Sequence, residues 1–389
     1  MPVVERIKAY HAELARIRRD IHAHPELGFK EKLTSDLVAR ELASYGIEVH
    51  RGLAKTGVVG RLKAGRANRA IGLRADMDAL PIHEKNEFAH RSQHDGVMHA
   101  CGHDGHTTML LGAARYLAET RDFDGTVHFI FQPAEEGGGG ARVMIEEGLF
   151  DKFPSDAVYG MHNWATAPAG TFGIRPGPIM AASGNFDLAI QGRGAHAARP
   201  ESGVDPVVVA ANMVMAIQTI ASRNVSAIDS LVVSVTQIHG GDAYNVIPDE
   251  VMLRGNVRAY RPEVIAKIAP ALERIADGVA ATYGARARLA FRMHYPPLVN
   301  HADETRLAGD AAALVVGEAN VNRDMPPRTA SEDFSYMLEA KPGAFIFIGN
   351  GKGEGACDVH NPHYDFNDDI IPLGASFFVR LIETNLPKR

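Results

Sequence analysis

The sequence predicts an α/β chain: a mixed or parallel sheet flanked by helices, with a smaller α+β domain inserted into it. Three observations carry that expectation. Short apolar strands alternate with helical periodicity as far as His162, the pattern of a helix-flanked sheet. From about Ala182 the order becomes β-α-β-β-α-β, the ferredoxin-like pattern. Helices and one more apolar strand then resume the first rhythm. At 389 residues the chain also exceeds one ordinary core. The expected division is 1–181 with 295–389 for a discontinuous larger domain, and 182–294 for the insertion.

In chain order, Val4, Ile7, Leu14, Ile17 and Ile21 recur at helical spacing. Ala70–Arg74 is an apolar strand that runs into Asp76-Met77-Asp78, followed by a polar loop from His83 to His99. A helix begins near Asp104, with Met109, Leu110, Ala113 and Leu117 on one face. Thr126–Phe131 is a strand leading to Gln132-Pro133-Ala134-Glu135-Glu136 and four glycines. A short helix at Ala141–Glu147 and a strand at Ala157–Gly160, ending at His162, complete this part. In the insertion, strands are expected at Phe186–Ile190, Leu231–Ile238, Glu250–Tyr260 and Ala287–Met293. Helices are expected at Pro206–Ser222 and Pro262–Tyr283, the second with proline at its first position. Phe345–Ile348 is the strand that resumes the larger domain.

Bulk composition is that of a globular chain, with 46% hydrophobic and 23% charged residues. A net charge of −6 and the lack of any Lys/Arg cluster argue against nucleic acid as a partner. No apolar run reaches the roughly 20 residues of a membrane span. Met1–Tyr10 is charged and has no apolar signal core, which reads as the start of a cytoplasmic chain. The two cysteines, Cys101 and Cys357, are then expected as reduced thiols. Histidine is the unusual count, at 18, and many lie in short clusters.

In open α/β sheets, ligands bind beyond the carboxyl ends of the strands. Asp76 and Asp78, Glu135 and Glu136, and His162 each follow a separate strand. Any one of them alone reads as a turn or cap residue, but three such coincidences favour a site. The densest signal is His99-Ala-Cys-Gly-His-Asp-Gly-His. Imidazole and thiolate suit zinc, manganese, cobalt or nickel. Cys101 and His103 lie two apart, and an extended stretch would aim both the same way. No C-x-x-C pair exists, so a catalytic metal site with open positions fits better than a closed structural one. With one of Glu135 and Glu136 on metal, the other is free to act as a general base. The glycine run lacks the G-x-x-x-x-G-K-[ST] spacing of a phosphate cradle, and there is no G-x-S-x-G nucleophile elbow. A Cys101 nucleophile is conceivable, but the surrounding histidines and carboxylates fit a metal better. His360, in Cys357-Asp-Val-His-Asn-Pro-His, adds a further candidate donor.

The segments RRDIHAHPELGFKE, RADMDALPI, HACGHDGHTTMLLGAA, QPAEEGGGGA, GMHNW, GRGAHAARPESGVDP, NVIPDEVMLRGNVRAY and CDVHNPHYDFND span nearly the whole chain. Together they resemble metallopeptidase family 20, subgroup D, the hippurate hydrolase and N-acyl-amino-acid amidohydrolase group. The resemblance implies a catalytic domain with an inserted dimerisation or lid domain, and a homodimer or homotetramer. It implies two divalent ions per subunit (manganese, zinc, cobalt or nickel), held by Cys101, His103, Glu136, His162 and His360. Glu135 would be the general base and Asp78 the residue that orients a histidine. Wider relatives begin the Asp76-Met77-Asp78 motif with a ligating histidine; here Asp76 stands in that place and His103 takes the ligand role. His196 resembles the residue that reaches a neighbouring subunit's site to polarise the scissile carbonyl. Asn245 and Arg258 resemble the residues that hold the substrate carboxylate. The implied reaction is hydrolysis of small N-acyl amino acids, hippurate-like or N-acetyl, to an acid and a free amino acid. N-acetyl-diaminopimelate deacetylation and small-peptide carboxypeptidase activity are the same-chemistry alternatives, and a catalytically inactive metal-binding protein is the alternative of another class.

Overall fold

The structure is a computed structural model that describes residues 3–351 and 357–388; Met1 and Pro2 of the N-terminal segment lie outside it. The chain divides into two compact units. The larger comprises 1–179, 299–326 and 333–389, and the smaller 180–298 and 327–332.

The larger unit begins with helices α1 (Val3–Lys8), α2 (His11–Ala23) and α3 (Lys32–Ser44). The single helical pattern at the N-terminus is thus broken at Ala9-Tyr10, where the amides of both residues close short turns on Arg6 and Ile7. Strands β1 (Glu48–Leu53), β2 (Gly57–Ala64) and β3 (Ala70–Asp76) follow, then α4 (His103–Thr120) and β4 (Gly125–Gln132). Next come α5 (Gly140–Glu146), α6 (Leu149–Lys152), β5 (Ala157–Trp164), β6 (Phe172–Gly173) and β7 (Gly177–Met180).

The smaller unit contains β8 (Ala182–Gln191), β9 (Ala195–His196), α7 (Pro206–Thr219), β10 (Leu231–His239), β11 (Val246–Ile247), β12 (Glu250–Ala259), α8 (Pro262–Ile265), α9 (Ile268–Thr282) and β13 (Arg286–Tyr295). Then β14 (Leu298–Asn300), α10 (Ala302–Val316), β15 (Val321–Asn322), α11 (Phe334–Ala340), β16 (Gly343–Gly349) and α12 (Ile371–Asn385) complete the chain.

The main sheet has eight strands in the order β1-β2-β4-β3-β5-β16-β6-β15. Its centre is parallel, from β4 through β3 and β5 to β16. β1 and β2 extend it as an antiparallel edge. The central strands are buried on both faces: every residue of β3, β4 and β16 is buried. Parallel strands covered by helices read as continuous apolar runs for this reason. β3 departs from that rule at Arg74 and Asp76, whose burial marks the carboxyl end of the sheet as polar.

The smaller unit has a four-stranded antiparallel sheet in the order β10-β12-β8-β13, the pairing expected of β-α-β-β-α-β. Its core is built from Phe186, Leu188 and Ile190 of β8, with Val209, Met213 and Ile217 of α7 and Ile268 and Leu272 of α9. The expected Pro262–Tyr283 helix is two helices. Pro270 has no amide hydrogen to give, and its ring would strike the carbonyl of Ala266 in a continuous helix. The helical run Pro206–Asn224, at 19 residues and mean hydropathy 1.2, is among the described residues the one helix long and apolar enough to cross a membrane by length and composition. It is not a continuous apolar run, since Asn212, Gln218, Ser222 and Arg223 interrupt it. Within its own unit, α7 is capped by the Asp205 carboxylate and lays Val209, Ala210 and Met213 into the core.

Candidate metal centre

The parallel strands β3, β4 and β5 deliver their C-terminal residues to one edge of the main sheet, and the candidate donors gather there. His162 lies within β5 rather than after it. Cys101 and His103 are not on an extended stretch: α4 begins at His103, and Gly102 before it takes φ +92°. A side chain at Gly102 would be strained in that conformation. Its Cβ would also lie 2.3 Å from Asn163 Oδ1. The glycine therefore lets thiol and imidazole sit one residue apart while the chain turns into a helix.

Potential ligand atoms of Cys101, His103 and His162 lie within 4.8 Å of one another, as do those of Cys101, Glu136 and His360, and of His103, Glu135 and Glu136. The shared members join the three groups into one cluster. Cys101 Sγ is 3.3 Å from His162 Nε2, and His360 Nε2 is 3.1 Å from Glu136 Oε1. All five residues expected as ligands therefore meet, with Glu135 beside them and buried. His360 is the exposed member, on a backbone with φ +63°.

The ring tautomers are set from behind. His162 Nδ1 donates to the carbonyl of Asn163 at 2.7 Å, and His103 Nδ1 to that of Asp78 at 2.9 Å. Each bond leaves Nε2 as the lone-pair nitrogen on the cluster side. His103 Nε2 is buried and has no hydrogen-bond partner among the described residues. Thiol, imidazoles and carboxylate are the donors a divalent transition ion accepts. The residues thus fit a metal.

The electrostatics agree. Burial opposes charge on His103, but Asp76 and then Asp78 outweigh it and push its pKa up to about 10. A potential that holds a proton there also favours a metal cation. Burial, then Glu136 and Glu135, push the Cys101 thiol well above its usual range. A thiolate at this position needs a neighbouring cation. Burial, then His106, push His162 well below the usual imidazole value, which keeps it neutral.

Asp78 joins the two arms of the site. Its carboxylate accepts the amides of Glu135 at 3.0 Å and Glu136 at 2.9 Å, and its Oδ1 is 3.2 Å from His103 Nδ1. Asp76 is held beside the cluster: Arg74 Nη1 is 2.6 Å from Oδ2 and His106 Nδ1 2.6 Å from Oδ1. Its Oδ2 lies 3.8 Å from His103 Nε2, and Asp76, His103 and His106 form a further potential donor group. Burial opposes its charge, yet His103, Arg74 and His106 hold its carboxyl well below the usual range. The glutamate turn is braced too. Ala134 takes φ +55°, a costly conformation for a residue with a Cβ. Its amide donates to the buried Glu31 at 2.9 Å.

Several supporting residues were given no role by the sequence: Arg74, His106, Asn163, Asp333 and Glu31. His106 belongs to the histidine-rich motif but is spent on Asp76 and Asn163. Asp333 accepts from Arg74 and Gln132 and donates its amide to Glu135 at 3.3 Å. A buried charge within β3 was legible as Arg74, but Asp333, one of its partners, lies 259 positions away.

In the smaller unit, His196 and Asn245 are exposed and sit on the β9–β11 ribbon, where Ala197 donates its amide to the Asn245 carbonyl. Arg258 is half-buried on β12 and donates to Asn256 and Ser331.

The known proteins this chain matches point the same way. Residues 72–384 match the description of peptidase family M20/M25/M40. The hippurate hydrolase of Campylobacter jejuni is 40% identical over 381 residues, covering 98% of each chain. An N-acetylcysteine deacetylase of Bacillus subtilis is 37% identical over 376 residues, 96% of this chain and 97% of that one. A Bacillus subtilis crystal structure described as a dinuclear metal binding peptidase from the M20 family aligns with a TM-score of 0.84 at 33% identity, over 97% of this chain and 99% of that one. With its donors gathered at one sheet edge and its whole length matched, this chain belongs to peptidase family M20/M25/M40 and is a metal-dependent amidohydrolase.

Proposed function

We propose that the chain hydrolyses the amide bond of small N-acyl amino acids, using two divalent ions held by Cys101, His103, Glu136, His162 and His360. The observation that carries this reading is the overlap of three donor groups through Cys101, His103 and Glu136, which brings the five donors and the buried Glu135 together. When bound, divalent ions acidify water and polarise a carbonyl. Glu135 takes a proton from the attacking water as its oxygen bonds to the amide carbon. The carbon–nitrogen bond then breaks, and Glu135 returns the proton to the leaving amine. Asp78 holds the Glu135 and Glu136 amides and the His103 ring in register during this exchange.

His196, Asn245 and Arg258 are the substrate-side residues of this proposal. The planar guanidinium of Arg258 suits a carboxylate, and Asn245 assists it. His196, exposed on its ribbon, serves the site of a second copy and polarises the scissile carbonyl there, which makes the working enzyme a homodimer or a homotetramer built from such pairs. The enzyme is placed in the cytoplasm.

The test is release of free amino acid from a panel of hippurate, N-acetyl amino acids, N-acetyl-diaminopimelate and dipeptides. Each is assayed with manganese, zinc, cobalt and nickel. Preferential cleavage of N-acyl amino acids supports the proposal. Preferential cleavage of dipeptides overturns the substrate class, and no release with any ion overturns the reaction.

A further inference from the structure

The segment from Arg18 to Glu31 opens with two buried polar residues that the reading above leaves without a task. α2 buries Leu14, Ile17 and Ile21 as an amphipathic helix should, but the same face carries Arg18 and His22. Arg18 is 1% exposed and His22 0%. Arg18 Nη1 donates to Asp365 Oδ1 at 2.7 Å and Nε to Asp368 Oδ1 at 2.7 Å; Nη1 also lies 3.5 Å from Asp104 Oδ2. His22 Nδ1 is 2.9 Å from Asp104 Oδ2, and its Nε2 is 3.1 Å from Glu84 Oε1. Glu84 is itself oriented by the amide of Ser92 at 2.6 Å.

These contacts converge on the start of α4 and on the loop after Cys357, the two segments that carry metal donors from distant parts of the sequence. Asp104 directly follows His103, and Asp365 closes the loop that begins at Cys357 and carries His360. Between Asp365 and that histidine, the Tyr364 hydroxyl accepts from Asn163 Nδ2 at 2.8 Å, next to His162. A core built only for stability gains little from such a cluster, because burying charges is costly and apolar packing often serves as well. What a guanidinium fork and a two-sided imidazole add is fixed direction.

We propose that Arg18 and His22 are positioning residues of the metal centre, holding the Cys101–His103 turn and the His360 loop in register with each other. This rests on the metal-ligand reading of those residues. The Asp104 arm of His22 is the one that reaches His103, and the Glu84 arm anchors the ring from behind.

The two arms are separable. Asn at position 22 places its amide donor where Nδ1 stands, toward Asp104; Gln extends a donor to where Nε2 stands, toward Glu84. The experiment measures manganese and zinc affinity, by competition with a chromophoric chelator, for the wild-type chain and for His22→Asn, His22→Gln, Arg18→Lys and Arg19→Ala. The thermal midpoint of each metal-free chain is recorded alongside. Loss of a group that orients a metal ligand typically weakens binding about 10–100-fold. The expected order of affinity is wild type, then His22→Asn, then His22→Gln, with the last weakened on that scale and the metal-free midpoints of the two variants alike. Arg19, more than half exposed and bonded to the far oxygen of Asp368, is the control and keeps wild-type affinity. Equal affinities across the His22 series, or the reverse order, overturn the inference while leaving the metal reading intact. A wild-type chain that takes up neither ion overturns both. The His22 series decides the matter if Arg18→Lys does not fold.

Discussion

The two polar sites of this molecule are built in opposite ways. At the edge of the main sheet, Cys101, His103 and Glu135 are buried, and the His103 and His162 rings and the Glu135 carboxylate are each held from behind by a second residue. On the smaller unit, His196 and Asn245 stand exposed on a short ribbon, and Arg258 rests on two neutral neighbours. A cluster of donors repays its desolvation only when its geometry is fixed in advance. A residue that meets a substrate or another subunit must stay accessible. The difference teaches that the first cluster is braced by residues of its own unit, whereas the second set lies on an exposed ribbon and a half-buried strand with few side-chain supports.

Chelation should produce the largest effect. Stripping metal with a strong chelator is expected to reduce hydrolysis to background, and adding back manganese or zinc to restore it. Activity that survives complete stripping, checked by elemental analysis, would break the comparison at its root. Glu135→Gln comes next. Loss of a general base costs about 10²–10⁴-fold in kcat, here with metal content unchanged by elemental analysis. His196→Ala is expected to lower kcat by about 10²–10³-fold, the scale for one oxyanion donor, again with full metal content. Mixing Glu135→Gln and His196→Ala chains sharpens the comparison. If His196 works across a dimer, a mixed dimer holds one intact site, and activity should return to roughly a quarter of wild type under random pairing. No recovery, in a preparation shown to exchange subunits, would assign His196 to its own chain. Arg258→Lys should raise KM about tenfold, equal to ~1.4 kcal/mol of binding, with little change in kcat.

The smallest effect concerns pH. Burial opposes charge on His22, but hydrogen bonds to Asp104 and Glu84 outweigh it and push its pKa up to about 9. A group raised in the folded state contributes stability in full below its unfolded value of about 6.5 and loses it as pH rises through the folded value. The thermal midpoint should therefore decline between pH 7 and pH 10, with a contribution on the order of 3 kcal/mol at most. His22→Asn should flatten that part of the profile, and a variant with the wild-type slope would show that His22 is not its source.

The alternation of strands and helices, and the change of rhythm near Ala182, were legible because they rest on local periodicity. The dense motif at His99–His106 was legible for the same reason: its residues are neighbours in the chain. What the sequence hid is set by contacts between distant segments. The split of roles between His103 and His106 depends on Asp76 and Asn163, from two different strands. The short segment 327–332, which belongs with the smaller unit, carries no local signal; the Arg328 carbonyl accepts the Ala181 amide there. The helix was expected near Asp104 and begins one residue earlier; what was misread is the Cys101–His103 pair, expected on an extended stretch but turned by the left-handed backbone of Gly102 into the start of α4. The break between α8 and α9 could have been found, since Pro270 was in plain sight.

The order in which the main sheet is assembled has a consequence for how the protein is made. β5 pairs with β3 on one side and β16 on the other, yet 178 residues separate Trp164 at the end of β5 from Gly343 at the start of β16. Chains emerge from the ribosome at about 5–20 residues per second, so that flank of β5 goes unpaired for roughly ten seconds or more while the entire smaller unit is synthesised. An open, apolar strand edge is a template for the wrong partner. The nascent chain is therefore most exposed to misassembly in the interval between the birth of its two domains, and slowing translation after β5 should lower the soluble yield more than slowing it after β16.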